Sequence, residues 1–127
     1  MKKKLLLLLA IVALASSSSY AWTTHYYHSN YNNGTGSRMK IITYSMDRSN
    51  IWVTLHAYRG IAPTAEEACY ASVGCYPYFY ESVYAQYKGN NNYLTRHITD
   101  IGAQYWTLEI YLYSVEIGDY TSAKIGW

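Results

Sequence analysis

Ile51-Trp52-Val53-Thr54-Leu55-His56-Ala57-Tyr58 alternates apolar and other residues without a break. Side chains in a strand repeat every two positions, so this stretch predicts a strand with two different faces. Ile51, Val53, Leu55 and Ala57 face a core. Trp52, Thr54, His56 and Tyr58 face the other way, and an exposed face of that composition is an interface or a ligand surface. Just upstream, residues 39–46 have similar character, and Asp47-Arg48-Ser49-Asn50 is turn chemistry between them. The two stretches predict a hairpin. Residues 105–115 repeat the alternation most strongly: Trp106, Leu108, Ile110 and Leu112 point one way, Tyr105, Thr107, Glu109, Tyr111 and Tyr113 the other. Further strands are expected at 93–99, after the turn Gly89-Asn90-Asn91-Asn92, and at 120–127, after Glu116-Ile117-Gly118-Asp119. A first short strand is expected within 22–37, ahead of a loop at Asn32-Asn33-Gly34-Thr35-Gly36. Asn33-Gly34-Thr35 has the form of a glycosylation sequon.

The middle of the chain reads differently. Pro63-Thr64-Ala65-Glu66-Glu67-Ala68 has the signature of a helix start, because Thr64 and Glu67 stand at capping-box spacing. That helix is expected to end near Gly74, and Cys75-Tyr76-Pro77 breaks the chain. In residues 78–88, Phe79, Val83 and Tyr87 recur at helical spacing; the same residues tolerate a strand, and the helix is preferred. No internal repeat is visible.

The chain starts with Met1-Lys2-Lys3-Lys4, follows with an unbroken apolar run over residues 5–15, and then a small, polar stretch to Ala21. These are the three parts of a secretory signal peptide, with cleavage expected after Ala21 or Ala15. The apolar run is shorter than the ~20 residues a transmembrane helix needs, and no second one exists. The expectation is therefore a leader over 1–21, one secreted domain over 22–127, and a location in the periplasm or outside the cell. Removing Lys2, Lys3 and Lys4 takes ten cations to seven, against eight carboxylates. A mature charge of −1 gives no field for attracting nucleic acid. The chain has 17 tyrosines, four tryptophans and a lone phenylalanine, Phe79. A ring with a polar tip suits strands and half-buried positions, and it equally suits a surface that stacks on sugars. Two cysteines, Cys69 and Cys75, predict one disulfide in an exported chain; two alone do not make a zinc site.

Catalytic signatures are scarce. His25 and His28, three apart on a strand, point to opposite faces and do not chelate one ion. No metal or other cofactor is expected. There is no Gly-x-Ser-x-Gly elbow, phosphate loop or His-Glu-x-x-His. A glycosidase needs two converging carboxylates; Glu66 and Glu67 are assigned to a helix start and Asp47, Glu116 and Asp119 to turns, and Glu109 and Asp100 are a candidate pair, though any other pair could converge as well. A membrane barrel ending at Trp127 would need eight strands and leave no room for a helix or a disulfide.

The predicted order is short strand, hairpin, helical region, strand, strand. It suits a mainly β fold: a small OB-like barrel or sandwich of five to six strands with one or two short helices and one disulfide. Local stretches also resemble the glycan-binding B subunits of AB5 toxins of the subtilase cytotoxin, typhoid toxin and pertussis toxin type. These stretches are Trp22-Thr23, Tyr26-Tyr27-His28-Ser29, the hairpin over 39–58, Ala68-Cys69, and Ser82-Val83-Tyr84-Ala85-Gln86-Tyr87. The chain departs from that family where Trp52-Val53-Thr54 replaces a cysteine-bearing strand, in lacking the C-terminal cysteines, and in His28. The resemblance implies a glycan-binding Ser29 flanked by Tyr26 and Tyr27, a homopentameric ring with contacts through residues such as Trp52 and Tyr58, and a catalytic A subunit as partner. The function expected is a non-enzymatic, secreted module recognising a cell-surface glycan. The alternatives are a disulfide-stapled, self-associating envelope protein, with Trp52, His56 and Tyr58 as contacts, and a small hydrolase.

Overall fold

The computed structural model describes residues 22–34, 38–48, 50–61, 67–76, 78–99 and 106–127. Among these residues eight strands form: β1 (Thr24–Tyr31), β2 (Met39–Met46), β3 (Ile51–Arg59), β4 (Cys69–Cys75), β5 (Phe79–Ala85), β6 (Asn91–Ile98), β7 (Trp106–Tyr113) and β8 (Asp119–Gly126). They make two four-stranded antiparallel sheets, ordered β1-β8-β3-β6 and β2-β7-β4-β5. Each strand of the first half pairs with one of the second half: β1 with β8, β2 with β7, β3 with β6, β4 with β5. The pairs β3–β8 and β4–β7 complete the sheets. Such pairing is that of one long antiparallel ribbon rolled on itself, the arrangement of a jelly roll.

The alternation explains the layering. Ile51, Val53, Leu55 and Ala57 of β3, with Ala123 and Ile125 of β8, have no exposed surface. They meet Ala71 and Val73 of β4 and Leu108, Ile110 and Leu112 of β7, equally buried, in one core between the sheets. Removing each Val, Leu or Ile side chain of this set from water stabilises by roughly 1.5–3 kcal/mol. Side-chain contacts link the two sheets along both sides of the sandwich. On one, Tyr26 of β1 stacks on Tyr44 of β2 at 3.9 Å, and His28 Nε2 lies 2.6 Å from the Tyr44 hydroxyl. On the other, Arg96 of β6 reaches Glu81 of β5 at 3.8 Å.

Several expectations change. The mainly β class and the sandwich hold, with eight strands instead of five or six. No helix forms among the described residues. The helix expected to end near Gly74 is β4 from Cys69 onward; residues 63–66 of its proposed start lie outside the described residues. The preferred helix over 78–88 is instead β5, paired along its length with β4 as a hairpin. The strands at 39–46 and 51–58 exist but do not form a hairpin: β2 lies on β7 in one sheet, and β3 between β6 and β8 in the other. The reason is burial. The inner positions of β3 are fully closed, whereas on β2 the inner-facing Lys40 is exposed and Ile42 and Tyr44 are only partly buried, as suits an edge strand. The disulfide is also absent. Cys69 and Cys75 are both buried and free. Six positions apart on one strand, they stand ~20 Å from each other, against the ~7 Å limit for a bridge. The leader over 1–21, Thr35 of the sequon and Asp100 lie outside the described residues.

Candidate functional site

Alternation on β1-β8-β3-β6 sends a second set of side chains away from the core, and register lines them up in rows across the sheet. Trp52 stands opposite His97 on β6 and Gly126 on β8; Thr54 opposite Thr95 and Lys124; His56 opposite Tyr93 and Ser122; Tyr58 opposite Asn91 and Tyr120. On β1, Tyr27 stands opposite Lys124 and Ser29 opposite Ser122.

Two of these rows are aromatic ridges. In the first, Trp52 stacks on His97 at 4.1 Å and 2°, and Trp22 lies parallel to Trp52 at 6.1 Å. His97 Nε2 is hydrogen-bonded to Asn50 Oδ1. Trp22 reaches this position because Gly126 has no side chain: a Cβ there would come within 2.3 Å of the indole and 2.2 Å of the Thr23 carbonyl. In the second ridge, His56 stacks on Tyr93 at 4.0 Å and 2°, with Tyr120 tilted against it at 5.4 Å. His56 Nε2 donates to Asn91 Oδ1 at 2.5 Å. The ridges stand four positions apart along β3, about 13 Å. The trough between them is floored by Thr54 and Thr95, whose hydroxyls lie 3.4 Å apart, and by exposed Lys124.

At the β1 end, Lys124 Nζ sits 5.8 Å from the Tyr27 ring, and the Tyr27 and Tyr120 hydroxyls meet at 2.9 Å. That hydrogen bond, then burial, raises the Tyr27 pKa. The phenol therefore stays neutral, a donor and an acceptor, at ordinary pH. Across the sandwich edge, burial and then Lys40 lower the His28 pKa, which favours the neutral ring.

The expected site residues divide between two faces. Tyr27 and Ser29 lie outward, on the same face as Trp52, His56 and Tyr58. Tyr26 points inward, onto Tyr44 and, edge-on at 5.8 Å, Trp127. It does not share a surface with Ser29. Tyr93, His97, Tyr120 and Lys124 join the face only through the pairing of β6 and β8 with β3, and Trp22 through the space over Gly126, none of which a single strand's pattern contains. Glu109 lies on the opposite sheet, where it accepts from the Tyr111 hydroxyl. Among the described residues no group of three His, Cys, Asp or Glu is placed to hold a metal ion. No protein-family model, no curated protein and no solved structure matches the chain.

Proposed function

We propose that the chain is a secreted, non-enzymatic binding module that takes carbohydrate on the outer face of β1-β8-β3-β6. The observation that carries this reading is the trough of Thr54, Thr95 and Lys124 between two stacked aromatic ridges. A pyranose has apolar C–H faces and a rim of hydroxyls. Ridge rings meet the first, and threonine hydroxyls, the free imidazole ring nitrogens as acceptors, and Ser29 meet the second. Lys124 is the cation on this face and favours a sugar bearing a carboxylate. The basic-apolar-small leader supports secretion. A toxin's receptor-binding subunit is the specific form of this reading.

Glycan-array binding of the mature protein, with Lys124→Ala, Tyr93→Ala and Ser29→Ala, tests it. Lys124→Ala and Tyr93→Ala should each weaken binding about tenfold, the loss of roughly 1.4 kcal/mol, with unchanged thermal unfolding. Undiminished binding in both would sink the assignment to this face. A native mass five times the protomer's, together with glycan binding, would support the toxin-subunit form. A second reading, self-assembly through this face, draws on its exposed flanking strand β6. It predicts a ladder of masses that free sugar does not dissolve.

A further inference from the structure

The other sheet has an outer face of different chemistry. Alternation turns Tyr70, Ser72 and Gly74 of β4 outward, flanked by Tyr80, Ser82 and Tyr84 of β5 and by Glu109, Tyr111 and Tyr113 of β7. Register sets Ser72 opposite Ser82 and Tyr111, Tyr70 opposite Tyr84 and Tyr113, and Gly74 opposite Tyr80 and Glu109. Three small residues thus form a floor with rings around it. Tyr70 lies 5.5 Å from both Tyr84 and Tyr113, tilted by 43° and 57°. These rings splay, unlike the closed parallel plates of the first sheet. Tyr80 leans over Gly74, where a Cβ would come 3.0 Å from its ring.

The charge on this face has one sign. Tyr111 donates to Glu109 at 2.9 Å and Tyr113 donates to Glu67 at 3.2 Å. β2 completes the face with Met39, Ile41, Thr43 and Ser45, so its strand positions hold no Lys or Arg. The Glu109 hydrogen bond raises the Tyr111 pKa, and burial raises that of Tyr70, which keeps both rings neutral. Beneath them, the Ser72 hydroxyl is fully buried and has no hydrogen-bond partner. Native structures rarely leave such a group unpaired, and a ligand is one of the things that pairs it.

Electron-rich ring faces and carboxylates together repel anions and attract cations. The bulk of apolar ring surface favours a cation with a methylated, weakly hydrated shell over a metal ion. We infer that this face binds a quaternary ammonium of the choline type. The trimethylammonium group sits among Tyr70, Tyr80, Tyr84 and Tyr111, Glu109 supplies the counter-charge, and a shift of the rings that cover it opens Ser72 to the ligand's hydroxyl end. The inference is independent of the carbohydrate face, which lies on the far side of the core.

Calorimetric titration of the whole protein with choline, tetramethylammonium and the uncharged tert-butyl isostere of choline tests it. Both cations should bind saturably and the isostere roughly tenfold more weakly or not at all. Tyr84→Ala and Glu109→Gln should each cost roughly three- to thirtyfold in affinity, while Tyr84→Phe keeps it. Ser72→Ala should weaken choline but not tetramethylammonium. Thermal unfolding of each variant, with Tyr84→Phe as the folded control, separates lost binding from lost fold. Titration of phosphatidylcholine vesicles distinguishes sources: vesicle binding assigns a lipid headgroup, and binding of the free cation alone assigns a soluble ligand. Absence of saturable binding by either cation, or equal affinity for the isostere, would overturn the inference.

Discussion

Among the described residues Arg59 is the largest side chain with no exposed surface, and its neighbours show why a charge is tolerated there. Its Nε and Nη2 donate to the two Asp119 oxygens at 3.0 and 2.9 Å, and its Nη1 donates to the carbonyls of Glu67 and Gln86, both at 2.9 Å. Asp119, equally buried, also accepts from the Glu116 N–H at 2.8 Å. The hydrogen bonds to Asp119 hold the guanidinium pKa above its usual value. One residue thus ties the end of β3 to the approach to β4, the exit of β5 and the start of β8. A buried pair is weak evidence for net stability, but removing one partner strands a charge. Asp119→Ala should therefore cost about 3–5 kcal/mol in urea unfolding. Arg59→Met combined with Asp119→Leu should recover most of that, since two apolar groups replace the pair. A loss of about 1 kcal/mol or less for Asp119→Ala would mean that the pair behaves as a hydrated surface bridge.

β4 and β5 show at the scale of elements which strands were legible and which were not. β3 and β7 declare themselves because large aliphatic residues alternate with polar and aromatic ones over eight or nine positions. Phe79, Val83 and Tyr87 recur every four residues, and four fits both the strand's period of two and the helix's 3.6. β4 alternates Cys69, Ala71, Val73 and Cys75 against Tyr70, Ser72 and Gly74, and apart from Tyr70 and Val73 these are too small to mark a face. Partner choice is a further layer. Residues 47–50 have turn chemistry whether they close a hairpin or cross between sheets. Parity alone therefore placed Trp52, His56 and Tyr58 on one face, while His97, Tyr93 and Lys124 needed the register. The strand also fixes the redox behaviour of its cysteines. Burial pushes the Cys69 thiol up to about 11 and raises that of Cys75, and the thiolate is the reactive form. Both thiols should ignore a thiol reagent in the native protein and react in step with unfolding as urea rises. Reductant should leave the melting temperature unchanged; a reductant-dependent Tm would restore the disulfide.

At the scale of the molecule, the rolled ribbon separates two chemistries and sets the order of folding. One outer face carries Lys124, imidazoles and hydroxyls, the other tyrosines and carboxylates, with a common core between them. The same pairing spans very different lengths of chain. β4 and β5 meet across a tight turn, in which the Tyr78 N–H donates to the Cys75 carbonyl at 2.7 Å. β1 and β8 join Thr24 to Gly126. Closing the longer loops costs more entropy before any contact repays it. The hairpin should form first, and the β1–β8 seam should close last. Topologies of this kind refold on a roughly millisecond-to-second scale. Val83→Ala in β5 should then slow refolding, with φ of about 0.5 or more, while Ile125→Val in β8 should act mainly by speeding unfolding, with φ of about 0.3 or less. Stopped-flow refolding of the two variants measures both. The reverse order of φ values would place the nucleus at the joined ends of the chain and make the outer seam, not the inner hairpin, the part that brings the two sheets together.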